Sequence, residues 1–470
     1  MQSFMASPWC LCCLRRSLNA IETSTPGRAA FSTSSALAAN PIKKKAVVAS
    51  PAARPGKTLR LNKNKRAATT RPPAVGERRA LRKRVVLCNS NALEVQGLPD
   101  LSPGNARIAR LREIRGSVVG LQTETVDALR ALEAFKPTQG WSLFRRPATL
   151  VRKETVGLAG DQEWIVEAAQ EGRTVRKVIY GARGSGKSVL QLQALAMASL
   201  RKWIVIHIPE AKDLTNAHTA YEPVETGKST VYVQPMFVAK LLDNVVKANG
   251  PLLSTLQVKQ QHNIGVPIGP GAPLDRLAAI GVQDHNLAWP VWQALWSELC
   301  LPDAGRPSIM YSLDAFDHIM RDSAYLDAEA RPIHAHELAL VKHFVDTLSG
   351  RTSLPNGGMV LAAVSQSNRA AAHTLDVCLE RNNAIQEGRK PQAWDPYVAH
   401  DKWVQEVMET VGVSRLQGLT KAEARGVMEY YARSGMLRAN VTDTLVSETW
   451  TLAGGGIIGQ LEHGSVRARI

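Results

Sequence analysis

The sequence predicts an α/β fold in which a parallel sheet is flanked by helices. Three observations predict it. A β-branched and aromatic run, VRKVIY (175–180), enters a glycine-rich turn, GARGSGKS (181–188), and then a stretch of strong helix formers, VLQLQALAMASL. A second apolar run, IMYSLD (309–314), ends in an acid. A third, within GGMVLAAVSQSN (357–368), ends in a polar cluster. Short apolar runs of this kind, with helical stretches between them, suit strands buried on both faces.

The glycine-rich turn fits the pattern G-x-x-x-x-G-K-[ST], in the strand–loop–helix context that a phosphate-binding loop requires. Gly184 and Gly186 let the backbone approach phosphate oxygens with N–H groups pointing at them. The helix N-terminus adds the positive end of its dipole. Lys187 is placed to reach the β- and γ-phosphates, and the Ser188 hydroxyl to ligate Mg²⁺. The candidate nucleotide contacts are therefore Gly181, Ala182, Arg183, Gly184, Ser185, Gly186, Lys187, Ser188 and Val189. Asp314, closing the second apolar run, is the matching Mg²⁺ ligand. Ser365, Gln366 and Asn368, after the third run, suit a γ-phosphate sensor.

A further apolar run, WIVIHI (203–208), follows the first helix. The chain order is then loop strand, helix, strand, acid-ending strand, polar-ending strand. It fits the additional-strand class of P-loop proteins, including the AAA-like type, better than the small G-protein class. No Asn-Lys-x-Asp guanine-reading motif follows a strand. NKNK (62–65) lies in a basic arm, and TKAE (420–423) opens a helix. ETGKST (225–230) is a decoy, with Glu222 where the first glycine belongs, and reads as a loop.

Hydrolysis needs more than phosphate binding. The position after Asp314, where this class commonly carries a water-positioning Glu, holds Ala315. Asp317 is the remaining candidate for that role, and Arg369 the remaining candidate arginine finger. Losing a general base costs roughly 10²–10⁴-fold in rate, so the expectation is nucleotide binding with slow or no turnover.

Charge divides the chain. Residues 1–84 hold 18 Lys/Arg against Glu22 and Glu77, nearly all of the formal net charge of +17. The rest is close to neutral. Residues 1–40 carry Arg15, Arg16 and Arg28, many Ser and Ala, and little acid, the composition of a mitochondrial transit peptide. Residues 41–90 are rich in Lys, Arg and Pro, without an aromatic residue. Such an arm cannot offset its ordering entropy by apolar burial, and its natural partner is an RNA phosphate backbone. No apolar run approaches the ~18–20 residues that span a bilayer. Three of the six cysteines crowd the N-terminus and three lie far apart, which suits a reducing compartment.

The P-loop core is expected over 91–395, with a Gly/Pro-broken surface loop at 251–286. Trp289, Trp292 and Trp296, near helical spacing, are expected in the core. A helical, winged-helix-like domain is expected over 396–470. There LTKAEARGVMEYYARSGML opens on a capping box, Thr420 with Glu423, and VTDTLVSETWTLAGGG (441–456) alternates like a hairpin.

The blocks GARGSGKS, NAHTAYEPVETGKSTVYVQPMFVAKLLDNVVKANG, IMYSLDAFDHI and LTKAEARGVMEYYARSGMLR together resemble the death-associated-protein family of the mitochondrial small ribosomal subunit. The likeness covers roughly residues 150–460. It implies an AAA-like core and a bound guanine nucleotide, GTP or GDP, with ATP as the alternative. It also implies contacts to ribosomal RNA and neighbouring ribosomal proteins, bridges to the large subunit, and no homo-oligomer. By matching positions it carries the phosphate site to Gly181–Ser188 and the Mg²⁺ site to Ser188 and Asp314. Two alternatives stand beside it: an AAA-type remodelling ATPase of the matrix, and a P-loop signalling switch.

Overall fold

The computed structural model describes residues 85–167, 171–226, 229–302, 305–367 and 369–467. The segment expected to be a transit peptide, nearly all of the expected basic arm, and Asn368 lie outside them.

Five strands form the central sheet: β1 (Thr174–Gly181), β2 (Ile204–Ile208), β3 (Ile309–Asp314), β4 (Gly358–Ala363) and β5 (Gly412–Leu416). Their spatial order is β5-β1-β4-β3-β2, and every pairing is parallel. The polar-ending strand β4 thus lies between the loop strand β1 and the acid strand β3. In register, Ala363 of β4 sits beside both Ile179 and Asp314.

Successive strand residues feed two cores. Val178, Ile206, Tyr311 and Val360 join one, and Ile179, Val205, Met310 and Leu361 the other. Burial on both faces explains why these runs are continuously apolar. One face is covered by α1 (Lys153–Glu167) and α2 (Lys187–Leu200). The other is covered by α3 (Pro235–Leu253), α4 (Leu274–Gln283), α5 (Ala288–Leu299) and α6 (Ala339–Ser349). Trp292 and Trp296 are buried in that second core, and Trp289 packs against it. Behind them in sequence follow α7 (His373–Gln386) and α8 (Lys402–Met408), also on this side. Among the described residues no helix is long and apolar enough to cross a membrane.

Several expectations need correction. Residues assigned to the end of the arm pack on the body: Leu87 is buried, and Asn89 N–H donates to Phe144 O at 2.9 Å. The apolar run Val85–Leu87 ends the arm's polar character. The surface loop expected at 251–286 is shorter. Pro251 falls in the last turn of α3, and buried Leu274, Leu277 and Ala278 draw the other end into α4, leaving 254–273 irregular. Buried Glu298 pins that stretch, accepting from Lys259 N–H (3.1 Å), Gln260 N–H (2.8 Å), and Arg306 Nη2 (2.7 Å). The decoy segment is an antiparallel strand pair, Glu222–Thr226 with Ser229–Val233, rather than a loop. Finally, the boundary at 395/396 cuts through the core, because β5 lies beyond it and pairs with β1.

The C-terminal part is three helices: α9 (Lys421–Arg433), α10 (Asp443–Leu452) and α11 (Ile458–Ser465). They share a core with Val118, Phe144 and Leu150 of the segment before α1. The Thr420–Glu423 capping box is present, with Glu423 N–H donating to Thr420 Oγ1 at 3.2 Å and Thr420 N–H to Glu423 Oε2 at 2.9 Å. The hairpin expected over 441–456 is instead α10, capped by Thr442 Oγ1. The alternation of Val and Thr there is overridden by packing of Val446 into the helical core. Without that hairpin, the described residues of this part form a helical unit and lack the β-ribbon of a winged helix.

Candidate nucleotide site

Because all five strands run the same way, the segments after β1, β2, β3 and β4 emerge at one edge of the sheet. That edge is where open parallel sheets carry ligands. The glycine loop leaves β1 through three left-handed glycines: Gly181 (φ 147°), Gly184 (φ 75°) and Gly186 (φ 96°). A Cβ on Gly181 would stand 2.4 Å from Leu416 O of β5. Strain and contact together require glycine there. Lys187 opens α2, and its Nζ donates to Gly181 O (3.0 Å) and Ala182 O (2.8 Å) of the loop itself. Burial pushes its ammonium down to about 8, against Asp314 and Asp317, which favour the charge.

Two other segments grip this loop. Arg152, buried before α1, donates from Nη1 to Ser185 O (2.8 Å) and from Nη2 to Gln417 O (2.7 Å). From the C-terminus, Gly459 N–H donates to Gly184 O at 2.9 Å. Ile457 and Ile458 lie within van der Waals reach of positions 184 and 186. Gly454, Gly455 and Gly456, all at positive φ, shape the turn that delivers α11 to the loop.

The carboxylates sit beside it. Asp314 is buried, with Oδ1 accepting Ala315 N–H at 2.8 Å. Its Oδ2 is 2.5 Å from Lys136 Nζ. The same ammonium lies 3.4 Å from Glu210 Oε2, just past the end of β2. Burial would lower the Lys136 ammonium, but Asp314 and Glu210 outweigh it and hold it above its ordinary value. Glu210 is raised by burial and by Asp314, against the pull of Lys136. Behind them His207 is forced down to about 4, chiefly by burial.

Asp317 has a different task. Its Oδ1 accepts Ser365 N–H and its Oδ2 Ala370 N–H, each at 2.8 Å. With both oxygens taken by backbone, it fixes the segment after β4 on which Ser365 and Gln366 lie. Arg369 is paired with Asp376 on α7. Ala315 is buried at φ 62°, an unusual conformation for a residue other than glycine.

The loop residues fit a polyphosphate. They supply left-handed glycines, an ammonium, a helix N-terminus, and a buried Ser185 hydroxyl without a hydrogen-bond partner. Asp314 fits a divalent metal poorly. Both its oxygens already face N–H donors, one of them the Lys136 ammonium. Ser188 stays at the first turn of α2. Sequence reasoning missed Lys136, Glu210 and Arg152. Glu210 had a signal, an acid two residues beyond an apolar strand, whereas β3 ends on its acid. Lys136 and Arg152 had none.

The profile of the mitochondrial ribosomal death-associated protein 3 family matches residues 149–464, which take in the glycine loop and all five core strands. The chain belongs to this family. Small ribosomal subunit protein mS29 of Neurospora crassa is 43% identical over 416 residues, covering 87% of each chain. The protein of that name from Schizosaccharomyces pombe is 24% identical and covers 72% of this chain and 69% of its own. The Bos taurus family member is 23% identical, covering 41% and 48%. A solved Aeropyrum pernix ORC2 protein overlaps with a TM-score of 0.33 at 14% identity, spanning 66% of this chain and 59% of that one, too loosely to carry weight.

Proposed function

We propose that this chain is a constituent of the mitochondrial small ribosomal subunit, in the matrix, whose glycine loop holds a guanine nucleotide as a fixed part with slow or no hydrolysis. Kinship carries the ribosomal half: the Neurospora crassa relative, 43% identical along nearly the whole chain, is a small ribosomal subunit protein. Its partners are then ribosomal RNA and neighbouring ribosomal proteins, with contact to the large subunit part of the same proposal. The basic arm of residues 41–84 suits the RNA.

The nucleotide half rests on the cradle of Gly181, Gly184, Gly186 and Lys187. Guanine is chosen over adenine on kinship alone. Slow turnover is supported by Ala315 beside Asp314, and by Asp317 and Arg369 being tied to Ser365, Ala370 and Asp376. One observation favours a second reading, a hydrolysing switch: Glu210 places a second carboxylate beside Asp314.

Sedimentation of a mitochondrial lysate through a sucrose gradient tests the first half. Co-migration with the small subunit, lost when Mg²⁺ is stripped and salt raised, is expected. A peak only at free monomer or hexamer size overturns it in favour of a signalling switch or a motor. Chromatography of nucleotide released by denaturing the purified chain identifies the base. A turnover above about one per second contradicts the holder reading.

A further inference from the structure

We propose that Lys136 is a built-in cation of this site, standing at Asp314 in place of a divalent metal, so that the chain binds nucleotide with little dependence on Mg²⁺. The inference rests on the nucleotide reading above and deepens it by naming what neutralises the carboxylates.

The geometry is direct. One ammonium meets two carboxylates that come from the ends of adjacent parallel strands, Asp314 at 2.5 Å and Glu210 at 3.4 Å. The remaining Asp314 oxygen accepts the Ala315 N–H. The Asp314 side chain is 3% exposed and that of Lys136 22%, so the pair lies largely out of water. There an opposite charge is screened little, and removing it leaves a carboxylate uncompensated. Mg²⁺ gives up its own water shell reluctantly and demands near-octahedral oxygen ligands. It would have to displace a tethered cation that arrives with no such cost.

Lys136 is held by an ordered turn. Its N–H donates to Gln139 Oε1 at 2.9 Å, and Gln139 N–H returns to Lys136 O at 3.1 Å. The neighbouring Phe135 packs edge-on against Trp141, ring centroids 5.2 Å apart. Other charges nearby are accounted for. Lys187 bonds the loop carbonyls, Asp317 is capped by two backbone N–H groups, and His207 is neutral above about 4. Two ammoniums, Lys136 and Lys187, therefore face this edge of the sheet. They are fixed positive charges for an incoming polyphosphate.

The test uses the full chain, freed of nucleotide and titrated with GDP in Mg²⁺ buffer and in EDTA. For the wild type the two Kd values are expected to agree within about threefold. In Lys136→Met the EDTA value should rise to about tenfold or more above the Mg²⁺ value, because Asp314 then recruits metal. Lys136→Arg, which keeps the charge, should restore the wild-type ratio. A merely structural Lys136 would weaken binding equally in both buffers and leave the ratio unmoved. That result overturns the inference, as does a wild type that already needs Mg²⁺. In both cases the nucleotide reading stands. Binding of GDP in neither buffer removes the nucleotide reading and this inference together. Should Lys136→Met not fold, judged by its melting curve, the wild-type ratio and Lys136→Gln decide.

Discussion

The glycine loop and the carboxylate cluster share one edge of one sheet, yet they are built from different materials. The loop is a backbone object. Its shape comes from Gly181, Gly184 and Gly186 at positive φ, and it is gripped by hydrogen bonds to its carbonyls from Arg152 and from Gly459 N–H. The carboxylate cluster is a side-chain object. Asp314, Glu210 and Lys136 come from three distant segments and are held by charge. A backbone cradle fails when an atom is added, whereas a charge cluster fails when a charge is removed.

The largest effect should come from adding one atom to the loop. Gly181→Ala combines a forbidden backbone region with a Cβ 2.4 Å from Leu416 O, and should cost about 3 kcal/mol or more. Denaturant unfolding measures it; a loss below about 1 kcal/mol would mean that β5 yields freely.

Removing the grip is next. Arg152→Met fills similar space but leaves Ser185 O and Gln417 O without their donor, and should cost about 2 kcal/mol. Limited proteolysis should then cut first near residues 417–419, if the bracket is what ties loop to β5.

Acid separates the two materials. Burial holds His207 at about 4, and His336 and His343 at about 3. Each is near 6.5 in the unfolded chain, so above that pH their contribution to stability is fully present. As pH falls from about 6.5 toward 4, the unfolded chain takes up protons that the folded chain refuses. Stability should drop by about 1.4 kcal/mol per pH unit for each histidine. His343, boxed by Trp292, Trp296 and Tyr311, offers the control. His343→Phe should remove one proton from the slope of unfolding free energy against pH, and an unchanged slope would show that His343 titrates freely.

The smallest effect concerns Ala315, where the two materials meet. At φ 62° with a buried side chain, Ala315→Gly relieves strain, and should stabilise by under about 1 kcal/mol. Thermal melting would detect a rise of about 1 °C or refute it.

Much of the fold was legible because its signals are local. The strands of the sheet interior are apolar on both faces, and the Thr420–Glu423 box needs residues only three apart. β5 escaped notice for the opposite reason. GVSRL is an edge strand with one partner, so Ser414 and Arg415 break its apolar run. The segment 441–456 misled because β propensity is a weak guide when packing decides, and there Trp450 Nε1–H donates to Leu419 O while Val446 enters the helical core.

By itself the sequence determined the glycine cradle, since strand, glycines, lysine and helix start are contiguous and each acts on its neighbours. It also determined that an acid would close a buried strand beside that cradle. Only the tertiary structure decided which cation meets that acid. Residues 136, 210 and 314 share no spacing rule, because an ion pair depends on distance through space and leaves no period along the chain. The same holds for the C-terminal glycines, whose turn brings Gly459 onto Gly184 across most of the chain's length.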